Sequence, residues 1–214
     1  CISKKRKKAG RKDLAPLVHF GLTSEDVNNT AYSLMTKGAV DNIMIPSIKS
    51  VLKELKTLSK KTKSLPLLSL THGQPATTTT LGKELAVFIS RVERELALIK
   101  KMRLLAKFSG ATGSYAAHKI AFPGFSWSVF SKRFINKLGL EQSPVSTQIE
   151  PGDSLAELFH SFVRINNIFS DFSLDMWLYI SRNIFVQKNV VGEVGSSTMP
   201  HKINPILFEN AEGN

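Results

Sequence analysis

Three irregular stretches hold most of the side chains able to do chemistry. One runs Gly192-Glu193-Val194-Gly195-Ser196-Ser197-Thr198-Met199-Pro200-His201-Lys202-Ile203-Asn204-Pro205. Its glycines loosen the backbone and Pro200 and Pro205 interrupt any helix, so it reads as a loop. Ser196, Ser197 and Asn204 offer hydrogen bonds and Lys202 a point charge, which suits a loop closing over an anion. A serine acts as a base only if its alkoxide is stabilised. A neighbouring Lys202 in a dry site can do that. Lys202 and Asn204 can also hold a carboxylate whose charge grows as an adjacent C–H is deprotonated.

A second stretch is Ser69-Leu70-Thr71-His72-Gly73-Gln74-Pro75-Ala76-Thr77. Its non-helical setting exposes the His72 imidazole, which can trade protons near neutral pH. A surface or capping histidine is the plainer alternative. The third stretch, His19 to Asn29, contains Thr23-Ser24-Glu25-Asp26. Hydroxyls at a helix N-terminus, backed by free N–H groups, make an anion site; simple capping is the plainer reading of this segment taken alone.

Other chemistries find no support. His19, His72, His118, His160 and His201 lack metal-ligand spacing, and Cys1 is the only cysteine. No P-loop, dinucleotide G-x-G-x-x-G or G-x-S-x-G elbow is present.

The loops need long helices to position them. A start at Thr23-Ser24 leads into Val27, Thr30, Ala31, Leu34, Met35 and then Ile43, Ile48, Leu52, Leu55 and Leu58 at helical spacing, with a kink or break at Pro46. A second helix is expected from about Leu81 to Ser109, ended by Gly110 and Gly113. A short one spans Ser126 to Leu138. A third long helix runs from Ser154 into the 180s, and Ile206 to Gly213 starts a fourth. Residues 64–80, 110–125 and 143–152 read as irregular. Few strand signals remain, so the fold class expected is all-α, a long-helix bundle that is incomplete: three long helices plus the start of a fourth.

The 214 residues carry a net charge of +12, and residues 1–12 hold seven cations and no acid, without which the charge falls to +5. Residues 1–12 are expected to be a disordered basic leader and residues 13–214 a truncated central helical domain. A nucleic-acid patch is the sharper alternative for the leader. No apolar run is long enough to span a membrane, and one cysteine fits a reducing compartment.

Taken together the loops resemble the fumarase/aspartase superfamily, whose pattern G-S-S-x-M-P-x-K-x-N matches Gly195 to Asn204 without a gap. His201 between Pro200 and Lys202 favours the branch that cleaves adenylosuccinate. Thr71-His72-Gly73-Gln74-Pro75-Ala76-Thr77 points the same way, and Thr147-Gln148-Ile149-Glu150-Pro151 resembles its bacterial-type members. The resemblance covers about residues 14–214.

That resemblance implies an anti β-elimination. Adenylosuccinate, or the related succinyl-aminoimidazole carboxamide ribotide, would lose fumarate by C–N cleavage. Ser196 would be the base and His72 the acid. Lys202 and Asn204 would hold the succinyl carboxylate, Thr23 and Ser24 would bind the succinyl group, and Thr71 and Gln148 would contact substrate. No cofactor and no metal are expected. A homotetramer with shared active sites, a cytoplasmic location and no membrane or nucleic-acid partner are further implications. Family members carry more sequence on both sides, so this chain alone is expected to be inactive. The alternatives are another fumarate-releasing lyase or a carboxymuconate-type cycloisomerase, and a non-catalytic module for oligomerisation or nucleic-acid binding.

Overall fold

The computed structural model describes residues 17–188, 198–199 and 201–214. Residues 1–12 and Ser196 therefore lie outside the described residues. In chain order the elements are α1 (Ser24–Ala39), a π-turn (Val40–Met44), α2 (Ile45–Lys61), β1 (Pro66–Thr71), β2 (Gln74–Thr80), α3 (Leu81–Lys101), β3 (Leu105–Ala106), α4 (Ala116–Ala121), α5 (Trp127–Lys137), β4 (Glu141–Gln142), α6 (Asp153–Ser181) and α7 (Ile206–Gly213). The fold is mainly helical, as expected. The chain forms two units, residues 1–46 with 102–158 and residues 47–101 with 159–214.

In the first unit α1 begins where the Thr-Ser-Glu-Asp string predicts. Thr23 is the N-cap, and Asp26 reaches back to accept the Thr23 N–H at 2.9 Å. The face that α1 buries is not the apolar one. Asp26, Asn29 and Ser33 are buried, whereas Val27 and Met35 are 52% and 70% exposed. The reason lies in residues 105–110, whose backbone groups need partners away from water. Ser33 Oγ donates to Leu105 O at 2.8 Å. Asn29 Oδ1 accepts the Lys107 N–H at 2.9 Å, and Asp26 accepts those of Ser109 and Gly110. A polar stripe at helical spacing thus pairs a stretch of extended chain. Helical residues continue through Pro46. It sits in the first turn of α2, directly after a π-turn that accommodates the irregular hydrogen bonding.

The second long helix ends at Lys101, eight residues before the predicted Ser109. Leu105 and Ala106 instead pair in parallel with Glu141 and Gln142. Residues 110–125 are not wholly irregular either, since α4 forms behind Tyr115, a left-handed N-cap at φ 60°. Around α4 and α5 the fully buried His118 ring sits among Phe20, Phe108, Tyr115 and Trp127, at centroid distances from 4.7 to 6.0 Å.

In the second unit the periodicity holds. Ile48, Leu52 and Leu55 of α2, Leu85, Phe88, Val92 and Leu96 of α3, and Ile165, Ile168 and Met176 of α6 are buried. Arg164 Nε bonds the buried Glu95 at 2.8 Å, and Arg91 pairs with Asp171 at 2.8 Å on the surface. The helix ends crowd at Gly82, where an added Cβ would lie 2.4 Å from Ser59 O. Residues 64–80 are more ordered than expected. Pro66–Thr71 and Gln74–Thr80 form an antiparallel hairpin, irregular between Leu68 and Leu70. There Ser69 Oγ donates to Thr77 O at 2.5 Å and accepts the Thr77 N–H. Pro75 is tolerated because the strand is an exposed edge.

Candidate active site

In the first unit the start of α1 carries Thr23, half-buried, and Ser24, exposed. Both stand where the first turn of a helix leaves N–H groups unpaired and favours anions. Beneath them the Asp26 carboxylate is fully enclosed and accepts N–H groups from Thr23, Ser109 and Gly110 at 2.9, 3.0 and 3.1 Å. Its cation is Lys107, whose Nζ lies 2.8 Å from Asp26 Oδ1. The same ammonium donates to Gly110 O at 2.9 Å and to the Gln148 backbone carbonyl at 2.8 Å. The network therefore links two of the predicted residues through their backbones, Thr23 and Gln148, and Ser24 follows Thr23 in the chain. The Gln148 residue itself is exposed, so its amide is free to meet a ligand.

The Gln148 segment is also held two residues earlier, at Ser146. Gly113, at φ +75°, packs so tightly that an added Cβ would be 1.9 Å from Ser146 O. Ser109 Oγ and Ser146 Oγ are 2.9 Å apart. A cleft of about 790 Å³ opens beside this pair, lined by Tyr115, Lys132 and Gln142 among others, and it includes none of the predicted site residues.

In the second unit His72 lies at the hairpin tip, exposed, at φ 52°, followed by Gly73 at φ 73°. Two positive φ values at the centre of a two-residue turn are what primed hairpin turns require. The strands thus project the imidazole into solvent with Thr71 and Gln74 paired beneath it. Lys202 is exposed and Asn204 half-buried on the segment entering α7. The Lys202 N–H closes a turn onto Met199 O at 2.9 Å, and Gln187 Nε2 holds Ile203 O at 3.1 Å. No hydrogen bond among the described residues joins this segment to the His72 turn. Ser196, the predicted base, lies outside the described residues.

Sequence reasoning missed Lys107. It looks like an ordinary cation near a helix end, and its partner Asp26 is distant along the chain. Asp26 carried a usable signal, an acid three residues after an N-cap. His118 was also unassigned. Burial depresses its pKa below the ordinary 6.5, with Asp26 pulling the other way. Among the described residues no group of three or more His, Cys, Asp or Glu could hold a metal, and no helix is long and apolar enough to cross a membrane.

The family model described as lyase matches residues 4–214, so the match extends into the basic stretch that the sequence sets apart. Adenylosuccinate lyase of Buchnera aphidicola subsp. Acyrthosiphon pisum is 50% identical over 94% of this chain and 44% of its own length. The enzyme of that name from Escherichia coli K12 is 47% identical over 94% of this chain and 44% of its own. The chain thus spans about half the length of the curated relatives it matches. Among solved structures, a 3-carboxy-cis,cis-muconate lactonizing enzyme from Pseudomonas putida aligns with TM-score 0.74 at 27% identity, over 91% of this chain and 43% of that one. A fumarate lyase from Mesorhizobium sp. BNC1 aligns with TM-score 0.72 at 23% identity, over 91% and 42%, and shows the shared fold. With the gapless G-S-S-x-M-P-x-K-x-N string and the helical fold, these matches show that the chain belongs to the lyase family of the fumarase/aspartase superfamily.

Proposed function

We propose that this chain supplies catalytic and succinyl-binding residues for the elimination of fumarate from adenylosuccinate, and from succinyl-aminoimidazole carboxamide ribotide by the same chemistry. The observation that carries the proposal is the 50% identity to an adenylosuccinate lyase over 94% of the chain. Ser196 as alkoxide takes the proton from the carbon next to a succinyl carboxylate. The electron pair moves onto that carboxylate, making its aci-form, which Lys202 and Asn204 stabilise. As the pair returns, the neighbouring C–N bond breaks, and protonated His72 gives its proton to the departing nitrogen. The products are fumarate and the amino-nucleotide. Thr23 and Ser24 bind the succinyl group at the start of α1, and Thr71 and Gln148 contact the substrate. The chemistry uses only acid, base and hydrogen-bonding groups of the chain.

The protein works as a homo-oligomer, a tetramer, in the cytoplasm. Supporting self-association, helices in both units turn large apolar residues outward. Met35 and Ile43 are 70% and 62% exposed, and Phe159 and Val163 on α6 are 53% and 54% exposed. Several such residues on neighbouring turns are the mark of a surface made to be covered.

The test is a panel of substrates given to the complete protein: adenylosuccinate, the succinyl ribotide, argininosuccinate and 3-carboxymuconate. Fumarate release from the first two alone supports the proposal. Preference for either of the others would replace it with a different member of the superfamily.

A further inference from the structure

We propose that Lys107 is a positioning residue for the succinyl-binding half of the site, fixing the Gln148 segment against the Thr23–Ser24 helix start. The inference rests on the function proposed above and adds a residue to it. Lys107 and Asp26 have side chains 1% and 0% exposed. An ammonium has three N–H donors, and here each has an acceptor: Asp26 Oδ1, Gly110 O and Gln148 O, all within 2.9 Å. Asp26 in turn accepts from Lys107 and from three backbone N–H groups, those of Thr23, Ser109 and Gly110. One closed network therefore holds the start of α1, the 107–110 loop and the Gln148 backbone.

Neither charged group reaches solvent, so the pair is no device for solubility. Burying two charges is costly, and a well-packed apolar pair of similar volume commonly serves stability equally well. What an apolar pair cannot do is grip a backbone carbonyl. Lys107 does this at Gln148, an exposed residue on a main chain anchored from beneath. The Asn29 amide clamps the other end of Lys107 by accepting its N–H at 2.9 Å and donating to its carbonyl at 3.3 Å. The ammonium is thus fixed at its root and at its tip.

The test is steady-state fumarate release from adenylosuccinate by the complete protein, paired with thermal unfolding. Three variants are compared: Lys107→Met, the charge-free Lys107→Met/Asp26→Asn, and Ile135→Ala, a fully buried core position in the same unit. Lys107→Met should raise KM about tenfold or more, with kcat changed far less, because it loosens binding in ground and transition states alike. Ile135→Ala should lower the unfolding temperature while leaving KM within about twofold. The charge-free double variant, with no lone charge buried, should regain much of the unfolding temperature but keep the raised KM. If Lys107→Met does not fold, that double variant carries the test. An unchanged KM, or an equal KM rise in Ile135→Ala, would overturn the positioning role and leave the proposed function standing. No fumarate from the wild-type protein would overturn both.

Discussion

The Lys107 ammonium lies 2.8 Å from the Asp26 carboxylate with both side chains enclosed. A buried pair that loses one partner leaves a lone charge in a poor solvent for it. Asp26→Asn should therefore cost about 3–5 kcal/mol in urea unfolding, with little dependence on salt. The surface pair of Lys56 and Glu93, 2.5 Å apart and about half exposed, sets the contrast. Glu93→Gln should change stability by no more than about 1 kcal/mol. Equal losses in the two variants would mean that Asp26 is not buried as described.

Gly113 offers a test of the Gln148 segment that leaves every charge in place. A Cβ there would strike Ser146 O at 1.9 Å, and the φ of +75° disfavours any other residue. Gly113→Ala should displace residues 146–148, cost about 1–3 kcal/mol and reduce kcat/KM. Gly73 sits at φ +73° with open space around it. Gly73→Ala should cost only about 1 kcal/mol, the backbone penalty alone. Melting temperatures of the two variants give the comparison.

His118 sets an acid limit to the stability of the first unit. Burial holds its folded pKa below the ordinary 6.5. Above 6.5 the imidazole is neutral in both states, and its contribution is fully present. As pH falls below 6.5 the unfolded chain takes the proton first, so stability is lost until the folded pKa is reached. His118→Leu should flatten this loss between pH 7 and 5 in urea titrations. An identical pH slope in the two proteins would contradict the assignment.

The hairpin tip separates chemistry from folding. His72 is exposed and left-handed, a conformation that asparagine tolerates well. His72→Asn should leave the melting temperature nearly unchanged and lower kcat about 10²–10⁴-fold. A large fall in melting temperature would show that the residue serves the turn instead.

The sequence locates α1, α2, α5, α6 and α7 closely: α2 and α6 bury an apolar stripe at regular spacing, whereas α1 is marked by its Thr-Ser-Glu-Asp start. It misplaces the end of α3 because Leu104, Leu105 and Ala106 continue the apolar pattern. Only pairing with Glu141 and Gln142, far along the chain, draws them into a strand. The hairpin is hidden for a different reason. Its strands bury nothing on either face within the chain, so no alternation marks them, although His72-Gly73 is a turn signal in retrospect. The buried face of α1 is illegible by hydrophobicity, since Asp26, Asn29 and Ser33 serve backbone groups instead of an apolar core. The sequence likewise gives no sign of Lys107, whose ammonium ties the Gln148 carbonyl to Asp26.

The decisive measurement of the proposed elimination is fumarate formation from adenylosuccinate by the complete protein and by its Ser196→Ala and His72→Asn variants. The wild type should turn over, and each variant should lose at least about 100-fold in rate with folding retained. Wild-type protein that releases no fumarate, or variants that release it at the wild-type rate, would contradict it.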